Sequence, residues 1–122
     1  VRSKILSNGE SPEDFIAEGC FIRELHRDES EALSLAEARV LPGTRTRLHA
    51  LNVREYYFIR SGFGQMYLDG VPAGLVKSGD LVCIEAGTSQ AIENTGPADL
   101  IFLCICHPAF RNEGYRDCEP RS

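Results

Sequence analysis

Gly43-Thr-Arg-Thr-Arg-Leu-His49-Ala-Leu-Asn-Val-Arg-Glu55-Tyr-Tyr-Phe-Ile-Arg-Ser-Gly62 is the stretch on which the reading of this chain turns. It holds one imidazole and one carboxylate six positions apart, with a glycine at each end. Residues 45–51 and 55–60 read as two strands, with Asn52-Val53-Arg54 as the turn between them. Residues two apart on a strand share a face. His49 and Leu51 therefore point one way, and Glu55, Tyr57 and Ile59 share a face on the partner strand. A second stretch, residues 79–94, has a similar design and carries Gln90.

Outward from this centre the punctuation is regular. Ser61-Gly62-Phe63-Gly64 turns the chain, residues 65–68 form a strand, and Asp69-Gly70 is a strong hairpin signal. Residues 71–76, 81–84 and 90–94 are further strands, separated by Ser78-Gly79-Asp80 and Glu85-Ala86-Gly87-Thr88. Residues 100–106, Leu-Ile-Phe-Leu-Cys-Ile-Cys, are apolar on both faces and should be covered on both sides. Residues 21–25 alternate and read as a strand, with His26 in the charged turn that follows. Residues 32–40 favour helix by local propensity but carry a small-residue face at alternate positions; the β context decides for strand. Ser11-Pro12 suits a capped helical turn running to Glu18, where Gly19 stops it. Short strands with glycine-rich turns predict an all-β antiparallel sandwich or barrel. The organisation is an N-terminal extension over residues 1–19, a barrel over 20–108 and a polar C-terminal tail over 109–122.

A chain of 122 residues suits one domain. The net charge of −5, with both signs interspersed, offers no basic stripe for nucleic acid. Five irregularly spaced cysteines without a CxxC pair are a poor disulfide framework and a poor structural zinc site, so reduced thiols and a cytoplasmic location are expected. The longest apolar run is too short to cross a membrane, and residues 1–9 are too polar for a signal peptide.

The spacing resembles the cupin superfamily. Its first motif runs Gly, five residues, His, one residue, His, three or four residues, Glu, six residues, Gly; Gly43, His49, Glu55 and Gly62 stand in phase with it. The second motif is matched by Gly79, Gly87 and Asn94, with Glu85 at its proline position and Gln90 at its histidine position. The closing residues 102–108 are similar to single-domain cupins labelled mannose-6-phosphate-isomerase-like. The resemblance implies a double-stranded β-helix, a jelly-roll-like antiparallel barrel, here with a short N-terminal helix or extended segment. It implies a small-molecule pocket, with a sugar or an organic acid as candidate substrate. Cupins with a full metal site use three histidines and one glutamate. Here Leu51 stands at the second histidine position and Gln90 at the third, so the metal motif is degenerate.

Three readings follow for the pocket. In the first, His49, Glu55 and Gln90 hold a divalent Mn, Fe, Ni or Zn ion for a metal-assisted isomerase or oxygenase. In the second there is no metal, and Glu55 and His49 move protons with Tyr57 as an added donor or orienter. In the third the barrel binds a small ligand without chemistry, and the metal site is retired. Cys104 and Cys106 share a face that could line the pocket, although a buried free cysteine more often packs as a small hydrophobe, the reading preferred here. One of Arg45, Arg47, Arg54 and Arg60 could meet an anion at its mouth, although such arginines more often line a solvated face. His107 is a rim residue, and Asn94 holds a turn. The two-faced apolar strand 100–106 predicts a homodimer.

Overall fold

The computed structural model describes residues 3–9 and 11–120, so parts of the expected N-terminal extension and C-terminal tail lie outside the described residues. In chain order the strands are β1 (Asp14–Phe15), β2 (Phe21–Arg27), β3 (Ser34–Val40), β4 (His49–Leu51), β5 (Arg54–Ser61), β6 (Phe63–Leu68), β7 (Val71–Lys77), β8 (Leu81–Ile84), β9 (Ser89–Asn94), β10 (Leu100–His107) and β11 (Tyr115–Asp117). One 3-10 turn, Asn112–Gly114, precedes β11. The strands form two antiparallel sheets, one in the order β1-β2-β3-β10-β5-β8 and one in the order β11-β4-β9-β6-β7. This is the double-stranded β-helix that the motif spacing predicts. None of the described helices is long and apolar enough to cross a membrane.

Alternation decides the inside. On β10, Leu100, Phe102 and Cys106 are buried, while Ile101, Leu103 and Ile105 are half-buried on the opposite face. Val40, Ile59, Met66, Ile92, Leu100 and Phe102 from both sheets pack into a plug at one end of the barrel. The other end is left for polar side chains. The Asp69-Gly70 turn has φ of 54° and 80°, the left-handed pair that a tight two-residue hairpin needs. Asn94 is buried; its carboxamide donates to the Val40 and Ala98 carbonyls and accepts from the Gly96 N–H, holding the turn before β10 against β3.

Three local expectations are corrected. The helical turn after Ser11-Pro12 is extended chain, because Asp14 and Phe15 pair with Ile22 and Phe21, and the two phenyl rings meet edge-on at 5.0 Å. The expected strand 45–51 is regular only from His49. Arg47 N–H instead donates to the Glu18 carbonyl, and the Leu48 carbonyl accepts from Cys118 N–H. The polar tail, expected to lie outside the barrel, adds a strand to it: β11 pairs with β4 at the edge of the smaller sheet.

Gly62, which closes the first motif, has φ of 93°, and a Cβ there would lie 2.8 Å from the Asp99 carbonyl oxygen and 2.9 Å from Leu100 Cα. Gly79 has a similar φ but open space around it. Gly79→Ala should therefore cost about 1–2 kcal/mol from the backbone alone. Gly62→Ala should cost roughly 1–3 kcal/mol more, because rigid backbone must move. Urea unfolding of the two variants checks the order.

Candidate functional site

The open end of the barrel holds a cavity of about 190 Å³. The register explains which side chains meet there. His49 on β4 lies directly opposite Gln90 on β9. Glu55 on β5 lies opposite Cys106 on β10, and Tyr57 opposite Cys104. The two sheets face each other, so imidazole, carboxamide, carboxylate and phenol converge although 41 positions of sequence separate the first from the last. His49, Glu55, Tyr57 and Gln90 are all buried.

A further carboxylate completes the group. Glu18 sits in a tight turn closed by Ile16 N–H to the Cys20 carbonyl at 2.9 Å. Its own carbonyl is pinned by Arg47 N–H at 2.8 Å, which aims the side chain into the cavity. Sequence reasoning missed Glu18. Its signal is a lone acid inside the apolar run 15–20, but the docking of that turn on Arg47 is a tertiary fact.

The hydrogen bonds assign the protons. The Gln90 amide nitrogen has two N–H groups; one donates to Glu55 Oε1 and one to the Tyr57 hydroxyl oxygen, both at 2.6 Å. Glu55 Oε2 is approached by the weakly donating Cys106 thiol, at 3.7 Å. His49 Nδ1–H donates to the Arg47 carbonyl at 2.8 Å, which fixes the tautomer and leaves Nε2 bare. Nε2 lies 3.2 Å from Glu18 Oε1. Burial lowers the His49 pKa, and burial raises that of Glu18 to about 7. One proton fits between Glu18 Oε1 and His49 Nε2, and with the carboxyl at about 7 it is lost near neutral pH. Burial likewise raises Glu55 to about 7, and the nearby Glu18 adds to the shift. Tyr57 is held well above its usual value and stays a phenol. Cys106 is pushed up to about 12 and Cys104 higher than usual, so both remain thiols. The Tyr115 ring of β11 stacks on His49 at 5.2 Å.

Other candidates lie elsewhere. Cys104 and Cys106 do line the cavity. Arg45 covers the Tyr67 ring, and Arg47, Arg54 and Arg60 pair with Asp117, Glu85 and Glu37; none of the four lines the cavity. The arginine at the mouth is Arg27. His26 belongs to β2 and meets Asp28 at 2.5 Å, so it is not in the turn expected for it. His107 is exposed, with Nδ1 2.7 Å from the Ala32 carbonyl.

No family model matches the chain. The oxalate-binding protein of Thermotoga maritima is 35% identical over 79 residues, 62% of this chain and 63% of that protein, so the match spans less than two thirds of that relative. The structure of a predicted oxalate decarboxylase from Thermotoga maritima superposes with a TM-score of 0.75 at 26% identity, covering 86% of this chain and 99% of its own. An RmlC-like cupin from Shewanella frigidimarina superposes with a TM-score of 0.75 at 19% identity, covering 91% and 96%. The fold is that of the cupin superfamily.

In this barrel the donor set does not fit a divalent ion. Among the described residues no three His, Cys, Asp or Glu side chains are grouped to hold one. Gln90 turns N–H groups, not its oxygen, toward Glu55 and Tyr57. Leu51 places a buried hydrocarbon at the second histidine position, and His49 Nε2 is already engaged by Glu18. The expectation of Mn, Fe, Ni or Zn on His49, Glu55 and Gln90 therefore yields to a hydrogen-bonded network on the same side chains.

The raised carboxyl pKa values carry a stability signature. A glutamate at 4.5 when unfolded and about 7 when folded contributes stability that is complete below 4.5 and lost as pH rises through 7. His49, lowered from 6.5, acts in the other direction, losing stability as pH falls below that value. Subtracting Glu55→Gln from the parent protein removes the His49 contribution. The variant should gain on the order of 1–3 kcal/mol relative to the parent between pH 5 and pH 8. Urea titrations at both pH values measure the difference.

Proposed function

We propose that this protein binds a small polar molecule in the barrel and moves protons on it by general acid–base catalysis. One buried and one half-buried carboxyl group and a fixed-tautomer imidazole opening onto one cavity carry this reading. A general base works best with a pKa near the working pH, which burial supplies for Glu55. Gln90 holds Glu55 Oε1, so Oε2 is the oxygen free to act. Ionised, it takes a proton from a C–H beside a substrate carbonyl. The proton shared by Glu18 and His49 passes to the substrate oxygen on which charge develops. Glu55 then gives its proton to the former carbonyl carbon, and the hydroxyl on the carbon first deprotonated returns a proton to the Glu18–His49 pair, which completes an isomerisation and restores both groups. Tyr57, hydrogen-bonded through Gln90, orients the base. The substrate is of sugar or organic-acid size. The five free cysteines suit a cytoplasmic setting.

A panel of small carbonyl compounds in D2O tests this by NMR. The protein should exchange an activated C–H for deuterium, with a rate that peaks near pH 7, falling below it as Glu55 is protonated and above it as the Glu18–His49 proton is lost. Glu55→Gln should slow exchange by about 10²–10⁴-fold, while a chelator leaves the parent rate unchanged. A second reading, a non-catalytic binding barrel, is favoured by the name of the oxalate-binding relative. Under it, Glu55→Gln changes affinity and no compound exchanges.

The outer face of the larger sheet supports a homodimer as part of the same proposal. Phe58, opposite Leu103 on β10 and Leu81 on β8, is 40% exposed, and Leu81 is 54% exposed. An apolar strip of this kind marks an interaction surface. Light scattering at micromolar concentration should give twice the chain mass, and Phe58→Glu should return a monomer.

A further inference from the structure

Charge sorts the ligands this cavity can take. Glu18, Glu24 and Glu55 line it, against one guanidinium, that of Arg27. Arg27 is already committed. Nη1 donates to Glu31 at 2.9 Å and Nη2 to the Phe110 carbonyl at 2.6 Å, and Nε lies 3.6 Å from Glu24. His49, the other basic group on the wall, is kept neutral by burial, which outweighs the opposing pull of the Arg47 carbonyl on Nδ1–H. An anion entering the cavity would bring a third negative centre beside two carboxyl groups and find no free cation. An unpaired buried charge is costly, whereas a cation would be compensated from two sides. Ile16, Ile22 and Leu51 on the cavity wall offer the hydrocarbon surface that a small aliphatic body needs.

We propose that the site takes a small organic cation, an aliphatic amine whose ammonium group sits between Glu18 and Glu55 with its carbon skeleton against Ile16, Ile22 and Leu51. This names a ligand class for the same cavity and rests on the proposed function for that cavity alone. Glu18 meets His49 and Cys20; Glu55 meets Gln90 and Cys106, with His49, Tyr57 and Cys104 close by. None of these groups is a resident positive charge. A bound ammonium ion supplies the missing one and displaces the carboxyl protons, so binding tightens as pH rises. The preference is opposite to that of the Thermotoga maritima relative, which is named for a dianion.

Calorimetry with n-butylammonium, n-butanol, n-butyrate and oxalate separates charge from shape. At pH 8 butylammonium should bind at least about tenfold more tightly than butanol, and the two anions should not bind. Between pH 8 and pH 6 its affinity should fall about tenfold for each proton displaced. Runs in buffers of different ionisation enthalpy should show that proton released. Glu18→Gln and Glu55→Gln should each weaken butylammonium by tenfold or more; should either fail to fold, proton release by the parent protein still decides. Butyrate or oxalate binding as tightly as butylammonium would overturn the inference. So would an ammonium affinity equal at pH 6 and pH 8 with no proton released. Cation binding with no hydrogen exchange on any compound leaves this inference standing and removes the catalytic one. Exchange on neutral carbonyl compounds without cation binding does the reverse.

Discussion

The buried hydrogen bond from the Gln90 carboxamide to Glu55, 2.6 Å long, joins the two sheets where they would otherwise face each other across unsatisfied polar groups. A carboxyl group taken out of water must find donors or give up its charge. Here both happen. Gln90 supplies the donor, and burial raises the pKa to about 7. The same constraint acts on Glu18, whose partner is the bare nitrogen of His49. The open end of the barrel is therefore a mutually satisfied polar cluster, and its protons are held loosely enough to move near neutral pH.

The rest of the structure serves that placement. The aliphatic plug around Ile59, Ile92 and Phe102 closes one end, so the cavity opens at the other. The turn at residues 16–20 and strand β11 grip β4 from outside, through Arg47 and Leu48. Tyr115 lies flat on the imidazole. His49 is thus fixed at its main chain, at Nδ1 and across its ring face, with Nε2 turned to Glu18.

Replacement of two metal-ligand positions has a coherent physical result. Leu51 removes a donor and adds apolar wall. Gln90 converts an acceptor position into a donor that serves Glu55 and Tyr57 together. The carboxylate that would neutralise an ion is instead neutralised by a proton. A cation of another kind, carrying its charge in on the ligand, is the natural complement.

Much of this was legible before any coordinates. The phase of Gly43, His49, Glu55 and Gly62 requires a hairpin of fixed length, and strand parity puts Glu55, Tyr57 and Ile59 on one face, because alternation is a local property of extended chain. Asp69-Gly70 announces its turn for the same local reason. Glu18 was not legible. Its role depends on a turn docking against Arg47, and nothing in the residues around it encodes that partner. Nor could the sequence say which atom of Gln90 faces Glu55, since that is settled by the hydrogen-bond needs of neighbours on other strands. Local chain geometry, then, determined the barrel and most of its inward-facing side chains. Only tertiary packing decided the proton positions, the fifth member of the site and its acidic balance, because burial and pairing are properties of segments brought together from a distance.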